Sequence, residues 1–328
     1  IRFRRAHRLT PSGYPRFRFR FIAPLRSATA SPPLLSLALG YRFKYSVTMK
    51  LKSIFAVAGF ALAVISFAPA AEFTTAENQF VQELLAFRLS LRTYATGDEV
   101  SAAVQTYRSA HSEQIAAFGE EAQIAAHNML ATAEYNAYYA KDMHAPEMEG
   151  ILRPQYERLT AYAAAHPIEK QNPWFTLTSA DIINAMMQFL KQKDAINLGL
   201  QEKKDYAVVV EKAPKMAFAH MLSGFWYYYA PAIGGGSKKK ARQFFSDALT
   251  YAANDYERSY GNINLSQMQF EDKNKTEAAR FLDEAEKILP ATRYVAFIRK
   301  INALGYSLFD YNMNSTRQKL DERLRETQ

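Results

Sequence analysis

The sequence predicts an all-α fold for the part of the chain that follows residue 71. Glycine and proline are sparse there, runs of β-branched residues are nearly absent, and Ala, Leu, Glu, Lys and Gln dominate. These five residue types are good helix formers, whereas strands are enriched in β-branched and aromatic residues. The one strand-like stretch, YAVVVEKAP, contains Ala, Glu and Lys, which suit a helix equally well.

Turn signals divide this part of the chain into segments of helical length. The Gly97-Asp98 pair predicts the end of one helix and the cap of the next. Proline cannot continue a helix, and it marks further boundaries at Pro167, Pro173, Pro214 and Pro290. We expect helices, paired as hairpins, at roughly 74–95, 99–118, 121–141, 148–165, 178–192, 194–212, 215–230, 238–253, 256–271, 275–288, 291–310 and 315–326.

The basic residues are concentrated at the front of the chain. The formal net charge is +9, yet no Asp or Glu precedes Glu72. Twelve of the 41 Lys and Arg residues lie before residue 71. The rest of the chain therefore has 29 basic residues and all 32 acidic residues. The folded part is therefore slightly acidic, and its bulk charge predicts no nucleic-acid partner.

Residues 49–70 have the layout of a secretory signal peptide. Lys50 and Lys52 form a positive segment, residues 54–67 are apolar, and Ala68-Pro69-Ala70 is a small-x-small cleavage site. This layout predicts cleavage before Ala71, a periplasmic or secreted protein, and no stable membrane span after cleavage. A buried helix or an uncleaved membrane anchor is the alternative. The chain has no Cys, which excludes lipoprotein attachment, disulfides, thiol catalysis and Cys-based zinc sites.

Residues 1–48 lie upstream of this complete signal. They begin with Ile, are rich in Arg, and lack acidic residues. We expect a disordered leader that is not native to the protein, with Met49 as the true start. An organelle transit peptide is the alternative. The remaining chain is expected to comprise N-terminal helical hairpins at 71–170 and helical repeats at 171–328.

A small–large–small pattern recurs on the expected second helices of the hairpins. Small residues let two helices approach, and the large residue fills the groove between neighbouring hairpins. The pattern A-x3-F-x2-A is matched by Ala278, Leu282 and Ala285, followed by Pro290; by Ala241, Phe245 and Ala248; and by Ala103, Tyr107 and Ala110. The first helices carry Leu304-Gly305, flanked by Ile301 and Leu308, and the related pairs Leu222-Ser223 and Leu265-Ser266.

On these residues the chain resembles the tetratricopeptide-repeat family. The resemblance is good over 215–310, weak over 74–213, and absent from the leader. It implies a TPR-like α-solenoid that acts as a binding or scaffolding module. In its architecture and its predicted export, the chain is also similar to the T-component associated with TRAP transporters, which partners a periplasmic ligand-binding protein. Another kind of α-helical bundle remains the alternative.

The stretch WYYYAPAIGGGSKKKARQFF, residues 226–245, combines aromatic, glycine and lysine clusters. It lacks the G-x4-G-K-[ST] order of a phosphate-binding P-loop. One interpretation is a corner between two helices, with the glycines in the turn and Ser237 as the cap of the second helix. The other is a contact for an anion or an acidic partner, because exposed helix-start N–H groups and cations attract carboxylate or phosphate. That contact would comprise Ser237, Lys238, Lys239 and Lys240.

Alignment to the repeat predicts a concave groove suited to a peptide or a small polar ligand. Its residues would be His220, Tyr227, Tyr228, Tyr260, Gln267, Asn302 and Tyr306. The alternative is that these side chains are half-buried packing residues.

No catalytic signature occurs in the sequence, since neither H-E-x-x-H nor G-x-S-x-G is present. Asp142, His144, Glu147 and Glu149 form either a solvated loop or a set of metal ligands, and we favour the loop. The sequence thus predicts a non-enzymatic binding protein without metal or cofactor, whose partner is a protein or peptide. An exported all-α enzyme or a TRAP-associated ligand-handling component is the alternative.

Overall fold

A computed structural model describes residues 72–290 and 292–326. The predicted leader and signal peptide lie outside these residues. Regular structure in the described part is entirely helical and comprises fourteen α-helices with short 3-10 turns. The all-α, helix-hairpin fold predicted from the sequence is confirmed.

The helices are α1 Thr75–Ser90, α2 Gly97–Ala110, α3 Ser112–Ala116, α4 Glu120–Lys141, α5 Glu147–Ala165, α6 Pro173–Met186, α7 Gln192–Lys212, α8 Ala217–Tyr229, α9 Lys238–Thr250, α10 Asp255–Glu271, α11 Lys275–Ile288, α12 Arg293–Ala303, α13 Leu308–Tyr311 and α14 Asn314–Glu326.

Capping residues explain why some helices begin at residues other than those predicted from the sequence. Thr96, not Asp98, caps α2, and it forms a reciprocal capping box with Glu99. Asn172 caps α6, and Pro173 takes the first helical position, where its missing N–H costs nothing. Helix α6 therefore begins at 173 and not at 178. The helix expected at 99–118 is divided into α2 and α3 at His111.

The segment expected as one helix at 291–310 contains two, α12 and α13. Gly305 adopts φ 89° directly after α12, a left-handed conformation that ends the helix. Ser307 then caps α13 through a second capping box with Asp310. The Leu304-Gly305 pair therefore lies at a helix end and is not the first-helix pair of a repeat, which corrects that part of the alignment.

Consecutive hairpins account for the C-terminal half of the fold. Helix α8 packs on α9, α10 packs on α11, and α9 joins the two hairpins by packing on α10. The small–large–small patterns on α9 and α11 face these contacts. All six of their residues are buried: Ala241, Phe245, Ala248, Ala278, Leu282 and Ala285.

The closest approach within a hairpin occurs between α8 and α9. A Cβ atom on Gly224 would lie 2.5 Å from the ring of Phe245, so only glycine leaves room for that ring. Phe245 is itself held between the rings of Phe225 and Phe309, with centroids 5.2 and 5.9 Å away. Because the ring is packed on several sides, it cannot move away from a larger residue at position 224.

The third pattern match, on α2, does not pack in the same way. Ala110 is exposed, and Ala103 and Tyr107 are only half-buried. The Tyr107 ring stacks between Phe87 and His111, with centroids 4.1 and 4.0 Å away. This pattern match therefore does not mark a packing face of the kind that α9 and α11 have.

Helix α4 organises the N-terminal half. It packs against α1, α2, α5 and α6, and nearly all of its residues are buried. Helix α1 also packs against α10, so the first helix of the described residues supports the C-terminal hairpins. Helices α6, α7 and α8 then follow as sequential neighbours, which places α7 beside the first C-terminal hairpin.

We predict that Gly224→Ala destabilises the protein by about 1–3 kcal/mol, because the new methyl group overlaps the confined Phe245 ring. Gly150→Ala on α5 is the matched control. A Cβ there meets no atom within 4 Å, and the change should stabilise the helix by roughly 0.5–1 kcal/mol. Urea denaturation measures both. Equal midpoint shifts for the two variants would contradict the close packing of α8 on α9.

Candidate ligand pocket between α7, α8 and α9

A pocket of about 270 Å³ lies between α7, α8 and α9. Its lining is chiefly apolar, with three polar residues, Lys203, Glu211 and Ser223. The apolar and aromatic lining residues are Tyr206, Ala207, Val210, Trp226, Tyr227 and Phe244. Such a concave surface with a few polar groups has the composition of a small-ligand or side-chain site.

The aromatic wall of the pocket is fixed by its own contacts. Tyr227 stacks on Phe244, with ring centroids 5.3 Å apart and planes at 11°. Trp226 meets Tyr227 edge-on, at 5.2 Å and 86°. The Trp226 indole Nε1 donates a hydrogen bond to the Gly199 carbonyl oxygen at 2.9 Å. The wall is therefore preformed, because both rings are held by neighbours on three helices.

Two lysine side chains lie over the aromatic rings of this wall. Lys203 Nζ is 4.8 Å from the Trp226 ring centroid and 6.0 Å from that of Tyr227. Lys240 Nζ is 5.1 Å from the Tyr227 ring centroid. Each cation–π contact of this kind contributes roughly 0.5–1 kcal/mol at an exposed site. These contacts place positive charge beside the aromatic wall of the pocket.

The loop between α8 and α9 has the corner geometry predicted from the sequence. Ser237 caps α9 by accepting a hydrogen bond from the Lys240 backbone N–H at 3.3 Å. Gly235 adopts φ 98°, and a Cβ there would lie 2.6 Å from Lys203 Nζ. A Cβ on Gly236 would lie 1.7 Å from the Ala230 carbonyl oxygen. These two glycines let the chain reverse and leave space for the Lys203 ammonium group.

The three lysines at the start of α9 have different surroundings. Lys238 Nζ forms a salt bridge with Glu271 at 2.6 Å and lies 5.0 Å from the Tyr228 ring centroid. Tyr228 donates its hydroxyl hydrogen to the same carboxylate, and burial together with that carboxylate raises the Tyr228 pKa. Lys239 is exposed, and Lys240 faces Tyr227. Lys238 therefore contributes little to the predicted anion contact, because Glu271 already compensates its charge.

Tyr260 and Gln267 do not line an open groove, which corrects the sequence prediction. Tyr260 is only 2% exposed, and its hydroxyl accepts a hydrogen bond from Arg92 Nε at 2.9 Å. Gln267 is 0% exposed and accepts a hydrogen bond from the Leu308 backbone N–H at 2.7 Å. The turn that contains Arg92 covers Tyr260, and α13 covers Gln267. Both elements are distant in sequence from α10.

The remaining groove candidates are likewise mostly structural. His220 is buried, and its Nε2 lies 2.8 Å from the Pro214 carbonyl oxygen. The Asn302 side chain donates to Gln267 Oε1 at 3.0 Å and to the Tyr306 carbonyl oxygen at 2.9 Å, which joins α10 to the end of α12. Of the seven predicted groove residues, Tyr227 alone is among the residues that line this pocket.

Sequence reasoning missed the α7 wall of the pocket and Phe244. Lys203, Tyr206 and Val210 are three and four residues apart, so they share one face of α7. This spacing indicates a shared helix face and is visible in the sequence. The repeat pattern could not reveal it, because the resemblance is good only from residue 215 onward and α7 ends before that residue.

A buried polar cluster lies next to the pocket, and Tyr206 belongs to both. The Tyr206 hydroxyl accepts a hydrogen bond from Asn184 Nδ2 at 3.3 Å. Burial raises the pKa of Glu202 well above its ordinary value, and the neighbouring Asp205 and Asp181 carboxyl groups raise it further. Burial also raises the pKa of Asp181 to about 6, although Arg88, 3.9 Å away, opposes this shift.

The metal-ligand alternative at Asp142 and His144 gains no support. Asp142 Oδ1 accepts the His144 backbone N–H at 2.8 Å in an exposed loop. Across residues 72–290 and 292–326, no group of three or more His, Asp or Glu side chains is arranged to hold a metal ion. No helix in the same residues has both the length and the apolar composition needed to cross a membrane.

Comparisons with known proteins include a structural likeness to a solved helical-repeat protein. No protein-family model and no curated protein matches the chain. The crystal structure of a thermophilic TPR protein from Thermus thermophilus is similar to this chain at a TM-score of 0.38 and 16% sequence identity. The match covers 64% of this chain and 98% of that one. The hairpins are defined by the packing of α8 on α9 and of α10 on α11.

We predict that Glu202→Gln makes the protein more stable than the wild type at pH 8 and changes it little at pH 5. The pKa of Glu202 is raised in the folded protein, so the wild type loses stability as the pH rises above about 4.5, where the unfolded chain begins to ionise. The advantage of the variant should grow by about 1.4 kcal/mol for each pH unit between the unfolded and the folded pKa of Glu202, because only the wild type has a carboxyl group to ionise there.

Denaturant midpoints at the two pH values measure the effect, with Glu113→Gln on the exposed face of α3 as control. The control should follow the wild type at both pH values. Parallel pH profiles for Glu202→Gln and the wild type would contradict a buried, neutral Glu202.

Proposed function

We propose that this chain is an exported helical-repeat binding protein that holds a segment of a protein or peptide partner. The pocket between α7, α8 and α9 receives one large apolar side chain of that segment. The observation that carries the proposal is the preformed aromatic wall of Trp226, Tyr227 and Phe244 around an apolar cavity. Rigid aromatic side chains give large contact area at low entropic cost.

The pocket size favours a side chain over a large ligand. Its volume of about 270 Å³ lies just below the roughly 300–1,000 Å³ of typical small-molecule pockets. Helical surfaces that bind peptides commonly do so by taking one or a few apolar side chains into such depressions. The partner segment would therefore lie across α7 and α9 and insert one residue between them.

The polar groups of the pocket favour binding over catalysis. An acid–base mechanism needs two titratable groups within hydrogen-bond reach of one reacting atom. Lys203 and Glu211 both line the pocket on α7, and eight residues along a helix span about 12 Å. The buried Glu202 and Asp181 are the features that favour the enzyme alternative, but neither lines the pocket.

The proposed location rests on residues 49–70, whose sequence has the layout of a cleaved export signal. A periplasmic ligand-binding protein, as in the TRAP comparison, is a hypothesis for the partner. N-terminal sequencing of the exported protein should give Ala71 as the first residue. A mature product that retains residues from 1–48 would contradict export by this signal.

We predict that Ala207→Trp blocks peptide binding without unfolding the protein. Ala207 is exposed at the pocket, so an indole at this position can fill the cavity from the surface. Peptides selected from a random displayed library on the full chain should lose at least about tenfold in affinity, or ~1.4 kcal/mol. Ala279→Trp, at an exposed alanine of α11, is the matched control and should retain binding. Selected peptides that bind both variants equally would contradict the pocket assignment.

A further inference from the structure

We infer that the bound segment is acidic, with a carboxylate beside the apolar side chain that enters the pocket. Lys203, which lines the pocket, and Lys240, which lies over the Tyr227 ring, attract the carboxylate. This inference rests on the proposed function and specifies the chemistry of the partner.

The first support is uncompensated positive charge beside the aromatic wall of the pocket. Lys203 lines the pocket, and the Lys240 ammonium group lies 5.1 Å from the ring centroid of Tyr227, which also lines it. No salt bridge within the described residues involves either group. Lys238 differs, because Glu271 already pairs with it. Two unpaired cations beside an apolar surface favour an amphipathic anion.

The second support is the distribution of charge in the pocket along α7. Lys203 lies near the start of the lining segment, and Glu211 lies eight residues further along. A carboxylate is attracted to the first end and repelled from the second. The charge distribution thus orients the segment as well as attracting it.

The test uses the full chain and two blocked peptides, acetyl-Gly-Phe-Asp-Gly-amide and acetyl-Gly-Phe-Asn-Gly-amide. Binding is measured by NMR titration at low and high salt. We expect the Asp peptide to bind about three- to tenfold more tightly than the Asn peptide, as two partly exposed ion pairs allow.

The Lys203→Gln/Lys240→Gln variant should abolish this preference. The charge-matched control, Lys204→Gln/Lys239→Gln, changes adjacent lysines and should keep it.

The outcomes separate this inference from the proposed function. Equal binding of the Asp and Asn peptides to the wild type would overturn the acidic preference but leave the pocket intact. Loss of preference in both double variants would show a bulk charge effect and would also overturn it. Binding of 3-phenylpropionate without binding of the Asp peptide would assign the pocket to free organic acids and overturn the peptide partner. Failure of library selection on the wild type would overturn the proposed function itself.

Discussion

The contact between Gly224 and Phe245 is the constraint on which the rest of this structure depends. Helices α8 and α9 can approach closely because position 224 has no side chain, and Phe245 then fills the space between α8 and α13. This approach sets the position of Phe244, the preceding residue on α9, against Tyr227. A packing contact in the core therefore determines the aromatic wall of the surface pocket.

The loop and the buried cluster complete the site from two sides. Gly235 and Gly236 allow the reversal that starts α9 at Lys238, and the Ser237 cap fixes the first turn that carries Lys240. On the other side, Tyr206 links the pocket to the interior through its hydrogen bond with Asn184. Helix α7 is thus held by a polar interior and presents an apolar surface to the pocket, with Lys203 and Glu211 as its charged lining residues.

The sequence predicted what depends on local pattern and failed where distant elements decide. The helical composition and the Ala241, Phe245 and Ala248 pattern follow from short-range spacing, and the structure agrees. Burial of Tyr260 depends on Arg92, which is 168 positions away in sequence, and burial of Gln267 depends on α13. No periodicity within α10 reveals that those neighbours cover this face. The pocket was only half predicted, because Tyr227 lies within the recognised repeats and Lys203 lies on α7, before them.

Hydrogen–deuterium exchange of the full chain with a library-selected peptide tests the central claim most directly. The claim is that the partner occupies the pocket between α7, α8 and α9 and not a groove along α10 and α12. Amide protection that increases in the segments around Lys203, Tyr227 and Lys240, with α12 unchanged, is the result this account predicts. Protection centred on Asn302 and Tyr306, with α7 unchanged, would contradict it.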